Sequence, residues 1–344
     1  MQTGLLAGTG HIGPPGPGIT GLFRRQAGEW RCLLDDLQCF NLFPYPAGGD
    51  IILAGTSHGV YRSVDRGVTF SRAEFPDPGR EIWCFQVDVR DANVVYAGAA
   101  PAGFYRSDDR GAHWIRLPDP DVTVHCPNDY FGVRVLRLSQ STDGSELYAA
   151  LEINGALRSR DGGRTWVDIS PGLVRLAAEH PHLRSMVAQD RNFAEGMLDA
   201  HAVVAGEPGA AIIALRMGLF RTEDGGATWT DMEVGRFSPN TYARDLRVVP
   251  GEPRTLYAAI SVSATGEHGA LYRSRDGGCT WARFGAVQAG STVMSIALHP
   301  RDPARVYFGA SAHGEIRGTA DGGVTWRDFS LPAGVAGVYC VACC

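Results

Sequence analysis

The chain has 344 residues, 44% hydrophobic and 20% charged, with a net charge of -5 and a pI near 6.1. That balance suits a globular protein with a large core, and it lacks the clustered basic surface that nucleic acid requires. Forty-four glycines and twenty prolines predict short strands and many turns.

The opening "MQTGLLAGTG" carries no basic stretch ahead of an apolar one, and no later run approaches the ~20 apolar residues of a membrane helix. The expectation is a cytoplasmic protein with no membrane partner. In a reducing compartment most of the eight cysteines are expected as thiols, and the terminal "CVACC" reads as small residues on a buried inner strand with an exposed end, with a metal or redox role as the alternative.

Taken in chain order, "GLLAGTGH" (4–11) reads as a strand, and "GLFRRQAGEW" (21–30) as a hairpin. Then one eight-residue pattern returns six times: "SVDRGVTF" at 63, "SDDRGAHW" at 107, "SRDGGRTW" at 159, "TEDGGATW" at 222, "SRDGGCTW" at 274 and "TADGGVTW" at 319. Its aspartates, Asp65, Asp109, Asp161, Asp224, Asp276 and Asp321, are spaced by 44, 52, 63, 52 and 45 residues. Such spacings suit four-stranded propeller blades with variable loops. In the cleanest copy, strands are expected over Val293–Leu298, Val306–Ala310 and Glu315–Gly318, with a fourth from Thr325 onward.

The pattern carries turn chemistry. A Ser or Thr and an Asp two residues on can bond turn amides, Gly permits left-handed backbone, and the Trp or Phe packs against the sheet. No box aspartate is therefore taken as catalytic.

These six copies resemble the Asp-box, or BNR repeat, of sialidase-like propellers, sortilin-type receptors, xyloglucan-hydrolysing propellers and photosystem assembly factors. The resemblance spans almost the whole chain and implies a fold far more firmly than a function. Residues 21–30 align with "GALYRSRDGGCTW" as a decayed seventh hairpin, "GLLAGTGH" matches "VYFGASAH", and "GVYCVACC" matches "TVMSIALH". The expectation is an all-β, seven-bladed propeller of four-stranded antiparallel blades, one domain over 1–344. It is closed by pairing N-terminal strands with a C-terminal strand.

In sialidase-like propellers the box turns occupy one face, and ligands usually bind the other, formed by the second-to-third-strand turns and the blade connections. On that face, by alignment, His11, His58 and His313 hold one position in three neighbouring blades, with His268 in a longer version of the turn. Three readings stay open for them: a divalent transition metal on His11, His58 and His313, acid-base catalysis by all four, or a turn residue repeated by duplication. Pro101, Glu152 with Asn154, and Arg216 take that position in the other blades.

The connections add His125, Asn128, Asp129, Tyr130 and Arg134 after Trp114, then a long segment with His180, His182, Arg184, Arg191, Glu195, Asp199 and His201. Leu173, Val174, Leu176 and Ala177 have helical spacing, so this segment, about 170–200, is expected to be a partly helical lid. A further connection brings Asn240, Tyr242, Arg244 and Asp245. Arg134, Arg191, Arg216 and Arg244, with Tyr242, Asp129, His125 and His201, form the expected binding set. Arginines that grip carboxylates in two-point fashion suggest a small anionic or sugar-like substrate.

A sialidase would carry an early Phe/Tyr-Arg-Ile-Pro motif, and the nearest stretch here is "LFRRQ". Xyloglucan hydrolases generally pair two propellers and are exported, which also departs from this sequence. Two expectations remain: a hydrolase or lyase working under the lid, or a non-catalytic propeller that binds a protein partner.

Overall fold

The computed structural model describes residues 4–11, 18–46, 50–121, 123–126, 132–185 and 192–343. It is a seven-bladed β-propeller of four-stranded antiparallel sheets. By compactness the chain divides into one unit of Met1–Ile82, Phe237–Asn240 and Arg247–Cys344, and another of Trp83–Arg236 and Thr241–Leu246.

Each sheet follows one plan, seen in Val135–Gln140, Leu147–Leu151, Gly155–Ser159 and Val167–Asp168. In this sheet the second strand is buried along its length and the fourth is two residues long and largely exposed, whereas the fourth strand of the sheet holding both chain ends runs seven residues, Glu29–Asp35. The cleanest repeat forms strands at Val293–Leu298 and Val306–Ala310, as expected. Its third runs Ile316–Thr319 and its fourth is Arg327–Asp328, two residues later than the sequence suggested. The delay arises because Thr325 is held in the turn, its backbone N–H and hydroxyl both donating to Asp321.

All six box turns repeat that network. In the fourth copy the Thr222 hydroxyl donates to Asp224 Oδ1 at 2.9 Å and accepts from Gly226 N–H at 2.8 Å, while Thr228 donates through N–H and hydroxyl to the two Asp224 oxygens. In the second copy His113 replaces the Thr and its Nδ1 meets Asp109 Oδ2. The aspartates are consumed by the turn.

The box aromatics reach beyond their own turns. Trp166 stacks on Phe104 of the preceding sheet with centroids 4.1 Å apart, and Trp229 Nε1–H donates to Ile169 O at 3.3 Å. Burial of such a ring contributes about 1.5–3 kcal/mol from apolar area alone, so this contact holds successive sheets together. The recurrent Gly of the second strand has a packing cause too. A Cβ at Gly98 would stand 2.5 Å from Val135 Cγ1, and one at Gly309 would stand 2.5 Å from Val338 Cγ1.

The first sheet is ordered Gly337–Cys343, Leu5–Gly10, Gly21–Gln26, Glu29–Asp35. Gly8 pairs with Cys340 and Leu5 with Cys343, so both ends of the chain share one sheet. The long connection contains a helix, Pro171–Glu179, whose Leu173 and Ala177 are buried, then a short helix at Glu195–Leu198. Pro at the first helical turn lacks only an N–H that would be unsatisfied there anyway. No helix among the described residues is long and apolar enough to cross a membrane.

Candidate functional site

The four turn histidines belong to the unit of Met1–Ile82 and Arg247–Cys344. His58, His268 and His313 are exposed. His58 Nδ1 lies 3.0 Å from Ser57 Oγ. His268 and His313 adopt φ of 70° and 57° just before Gly269 and Gly314, the left-handed backbone a tight hairpin needs, and His is among the residues that tolerate it. His11 is fixed through its backbone, its N–H donating to Gln38 Oε1 and its carbonyl accepting from the Tyr339 hydroxyl, both at 2.8 Å. Among the described residues no group of three or more His, Cys, Asp or Glu is placed to hold a metal ion. The expected metal on His11, His58 and His313 therefore finds no support, and the divalent cofactor is not carried forward.

The other expected residues converge more closely, within the unit of Trp83–Arg236 and Thr241–Leu246. Asp129, Asn128, Tyr130 and Arg191 fall outside the described residues. Arg134, Tyr242 and Arg244 come from the entries of first strands, and Glu152 and Arg216 from second-to-third-strand turns. Asp199 and His201 bracket the start of Ala200–Ala205. In every blade these positions lie at the strand ends opposite the box turn, because the box joins the third strand to the fourth.

Arg134 donates to Glu152 Oε2 at 2.9 Å and lies over the Trp83 ring, 4.8 Å from its centroid. Asp199 Oδ2 accepts from Nε of Arg216 at 2.8 Å and lies 2.8 Å from its Nη2. The guanidinium is thus gripped along one edge, while its side chain stays 27% exposed. Arg216 N–H also donates to Asp199 O at 3.1 Å, so the turn itself is tied to the carboxylate's backbone. Behind this pair His201 is fully buried, with Nδ1 2.8 Å from Ala243 O and Nε2 3.3 Å from Asp199 Oδ1. Its ring packs on Tyr242 with centroids 4.6 Å apart. Deeper along the same strands, Arg137 donates to the fully buried Asp245 at 2.7 Å.

Burial opposes ionisation of Asp199, yet His201 and the Arg216 guanidinium outweigh it and hold the carboxyl below its ordinary range. Burial likewise pushes the Tyr242 phenol up; Arg244 opposes the shift and the Asp199 and Glu152 charges add to it. The phenol stays protonated and the carboxylate ionised at neutral pH, giving one donor and one acceptor of fixed character. Arg216 is raised because Asp199 outweighs the cost of burial.

His125 stands in a separate contact. Its Nε2 lies 2.7 Å from Asp168 Oδ2, its N–H donates to Asn154 Oδ1, and its carbonyl accepts from Asn192. The His125–Asp168 pair ties the loop before Arg134 to the fourth strand of its own sheet, and Asn192 ties it to the long connection. Trp83, Arg137 and Asp168 had no signal in the sequence, since each is an ordinary strand residue until its partner, Arg134, Asp245 or His125, is known. The box-facing strand ends carry a different network, in which buried Glu146 accepts from the Tyr148 hydroxyl, Arg160 and Gly209 N–H.

No family model matches the chain. Among curated proteins, a xyloglucanase of Paenibacillus sp is 26% identical over 254 residues, covering 65% of this chain and 23% of that protein. The xyloglucanase Xgh74A of Acetivibrio thermocellus is 26% identical over 247 residues, covering 64% and 28%. The chain thus spans about a quarter of the length of these relatives. Among solved structures, the GH74 xyloglucanase of Xanthomonas campestris superposes with a TM-score of 0.60 at 19% identity, over 98% of this chain and 54% of that one. YCF48 bound to D1 peptide superposes with a TM-score of 0.52 at 14% identity, over 95% and 94%. At these identities the structural likeness speaks for the propeller fold.

Proposed function

We propose that the protein is a hydrolase acting on carbohydrate, and that its substrate meets the strand ends opposite the box turns, in the unit of Trp83–Arg236 and Thr241–Leu246. The observation that carries this reading is the grouping of Trp83, Arg134, Glu152, Asp199, Arg216 and Tyr242 within that unit. The similarity to xyloglucanases supports a sugar as substrate. Glycoside hydrolysis uses two carboxyl groups, one as acid and one as base or nucleophile. Asp199 is held too acidic and too deep to protonate a leaving group, so its part is to set Arg216. Glu152 is the more accessible carboxyl, its side chain 16% exposed against 4% for Asp199. Arg216, Arg244 and the protonated Tyr242 supply donors to an anionic or hydroxylated sugar.

The test is release of reducing ends from xyloglucan oligosaccharides, neutral β-glucans and uronate-containing oligosaccharides. Expected is turnover of at least one class, with Glu152→Gln lowering kcat by about 100-fold or more, the size general acid-base loss commonly takes. Arg216→Ala should mainly raise KM.

A second reading, a peptide-binding platform, is favoured by one feature: both Glu152 and Asp199 are already committed to arginines. The likeness to peptide-bound YCF48 over nearly its whole length accords with it. Calorimetric binding of acidic peptides without turnover of any sugar would decide for this reading and against the first.

A further inference from the structure

Independently of the proposed carbohydrate activity, we propose that Cys39 and Cys340 are a disulfide-forming pair that can lock the sheet holding both chain ends to the sheet that follows it. Cys340 lies on Gly337–Cys343, which pairs with Leu5–Gly10; Cys39 opens Cys39–Pro44, the first strand of the next sheet. Both residues are buried thiols in this structure.

Their approach is visible through Gly8. A Cβ built there would stand 2.5 Å from the Cys340 sulfur and 2.6 Å from the Cys39 sulfur, so both sulfurs crowd the space one methyl would occupy. The Cys340 thiol donates to Cys39 O at 3.6 Å and also engages the Cys39 side chain. Residue 8 must therefore lack a side chain for the pair to exist. No other pair of cysteines among the described residues shares a glycine in this way.

The chemistry balances with a small-molecule disulfide, R–S–S–R, as oxidant. One cysteine thiolate attacks it, forming a mixed disulfide and releasing R–S⁻. The second cysteine, as thiolate, displaces the remaining R–S⁻. One S–S bond is broken and one is made, two cysteines are oxidised, one R–S–S–R is reduced to two R–SH, and the two thiol protons go to the released thiolates. Burial, with the neighbouring Cys39, raises the Cys340 thiol well above its ordinary range, so little thiolate forms while the strand is seated. Reaction needs the terminal strand to open, after which reseating brings the sulfurs together. The bond would close a loop of some 300 residues, where the entropic restriction on the unfolded chain is greatest.

The experiment incubates the full chain with oxidised glutathione, with and without sub-denaturing urea. It then maps crosslinked peptides by mass spectrometry after alkylation and records thermal unfolding with and without dithiothreitol. Expected are a Cys39–Cys340 peptide, formation at least ten-fold faster in urea, and an upward shift in melting temperature that dithiothreitol reverses. Cys340→Ala and Cys39→Ala should abolish the peptide and the reversible shift. Mapping of the wild-type chain keeps the test decisive if either variant fails to fold. Glutathione adducts on both cysteines without a crosslink, a crosslink through other cysteines, or a crosslink that leaves the melting temperature unmoved would each overturn the proposal. Sugar turnover plays no part in any outcome, so loss of the proposed activity would leave this result standing.

Discussion

Replacing Asp199 with Asn keeps the shape of the side chain and removes its charge, a direct test of whether this carboxylate anchors the candidate site. Asp199 is almost wholly buried, gripping Arg216 through Nε and Nη2 and standing 3.3 Å from His201 Nε2. Breaking a buried ion pair by removing one partner costs about 3–5 kcal/mol, because the other charge is left uncompensated. Arg216 is about a quarter exposed and recovers some hydration, which places the expected cost at the low end, about 3 kcal/mol. At an unfolding entropy near 2 cal/mol/K per residue over 344 residues, that is a fall in melting temperature of about 4 °C. The assay is calorimetry or circular dichroism at pH 7, on Asp199→Asn, Arg216→Gln and the double variant. The two groups touch, so the double variant should lose less than the two single losses combined, by about 1–2 kcal/mol. A single-variant shift under 1 °C, or strict additivity, would refute the anchoring argument.

Acid stability offers a second check. The Thr228 hydroxyl and N–H and the Thr222 hydroxyl hold the Asp224 carboxyl down to about 2, below its unfolded value near 3.9, so its contribution is present above pH 4 and disappears as pH falls through 2. Asp65 and Asp321 behave alike, the first against a cost of burial, the second through Thr325. The melting temperature of the wild type should drop steeply between pH 4 and 2, and Asp224→Asn should narrow that drop while matching wild type at its acid end. Gly226 has φ of 91° and a Cβ there would stand 2.6 Å from Ile169 Cβ, so Gly226→Ala should destabilise by about 2–3 kcal/mol from left-handed strain plus overpacking, read as a lower urea midpoint at unchanged m. Phe104→Ala should loosen Trp166, lowering stability by about 3–5 kcal/mol and raising tryptophan quenching by acrylamide.

The repeated box and the matching terminal strands were legible as sequence because each does its work locally or with one fixed neighbour. Ser or Thr, Asp and Gly close a turn within eight residues, and this recurs wherever the letters recur. The helix at Pro171–Glu179 was legible for the same reason, through apolar residues at helical spacing. The sequence left the aligned His11, His58 and His313 open between a metal, acid-base and turn reading; alignment shows that they share a backbone position, and only the tertiary structure shows whether side chains meet, which among the described residues they do not do as a metal-holding group of three. At the candidate site the ion pairs Arg134–Glu152 and Arg216–Asp199 each sit within one sheet, but what gathers them is joined across blades: Arg134 over Trp83, His201 against Tyr242, Arg137 to Asp245. The last of these links residues 108 apart in the chain. Composition and periodicity carry backbone preference, and so the propeller was determined by the sequence read alone. Which charges share a desolvated space depends on the register between sheets, and only the tertiary structure decided that.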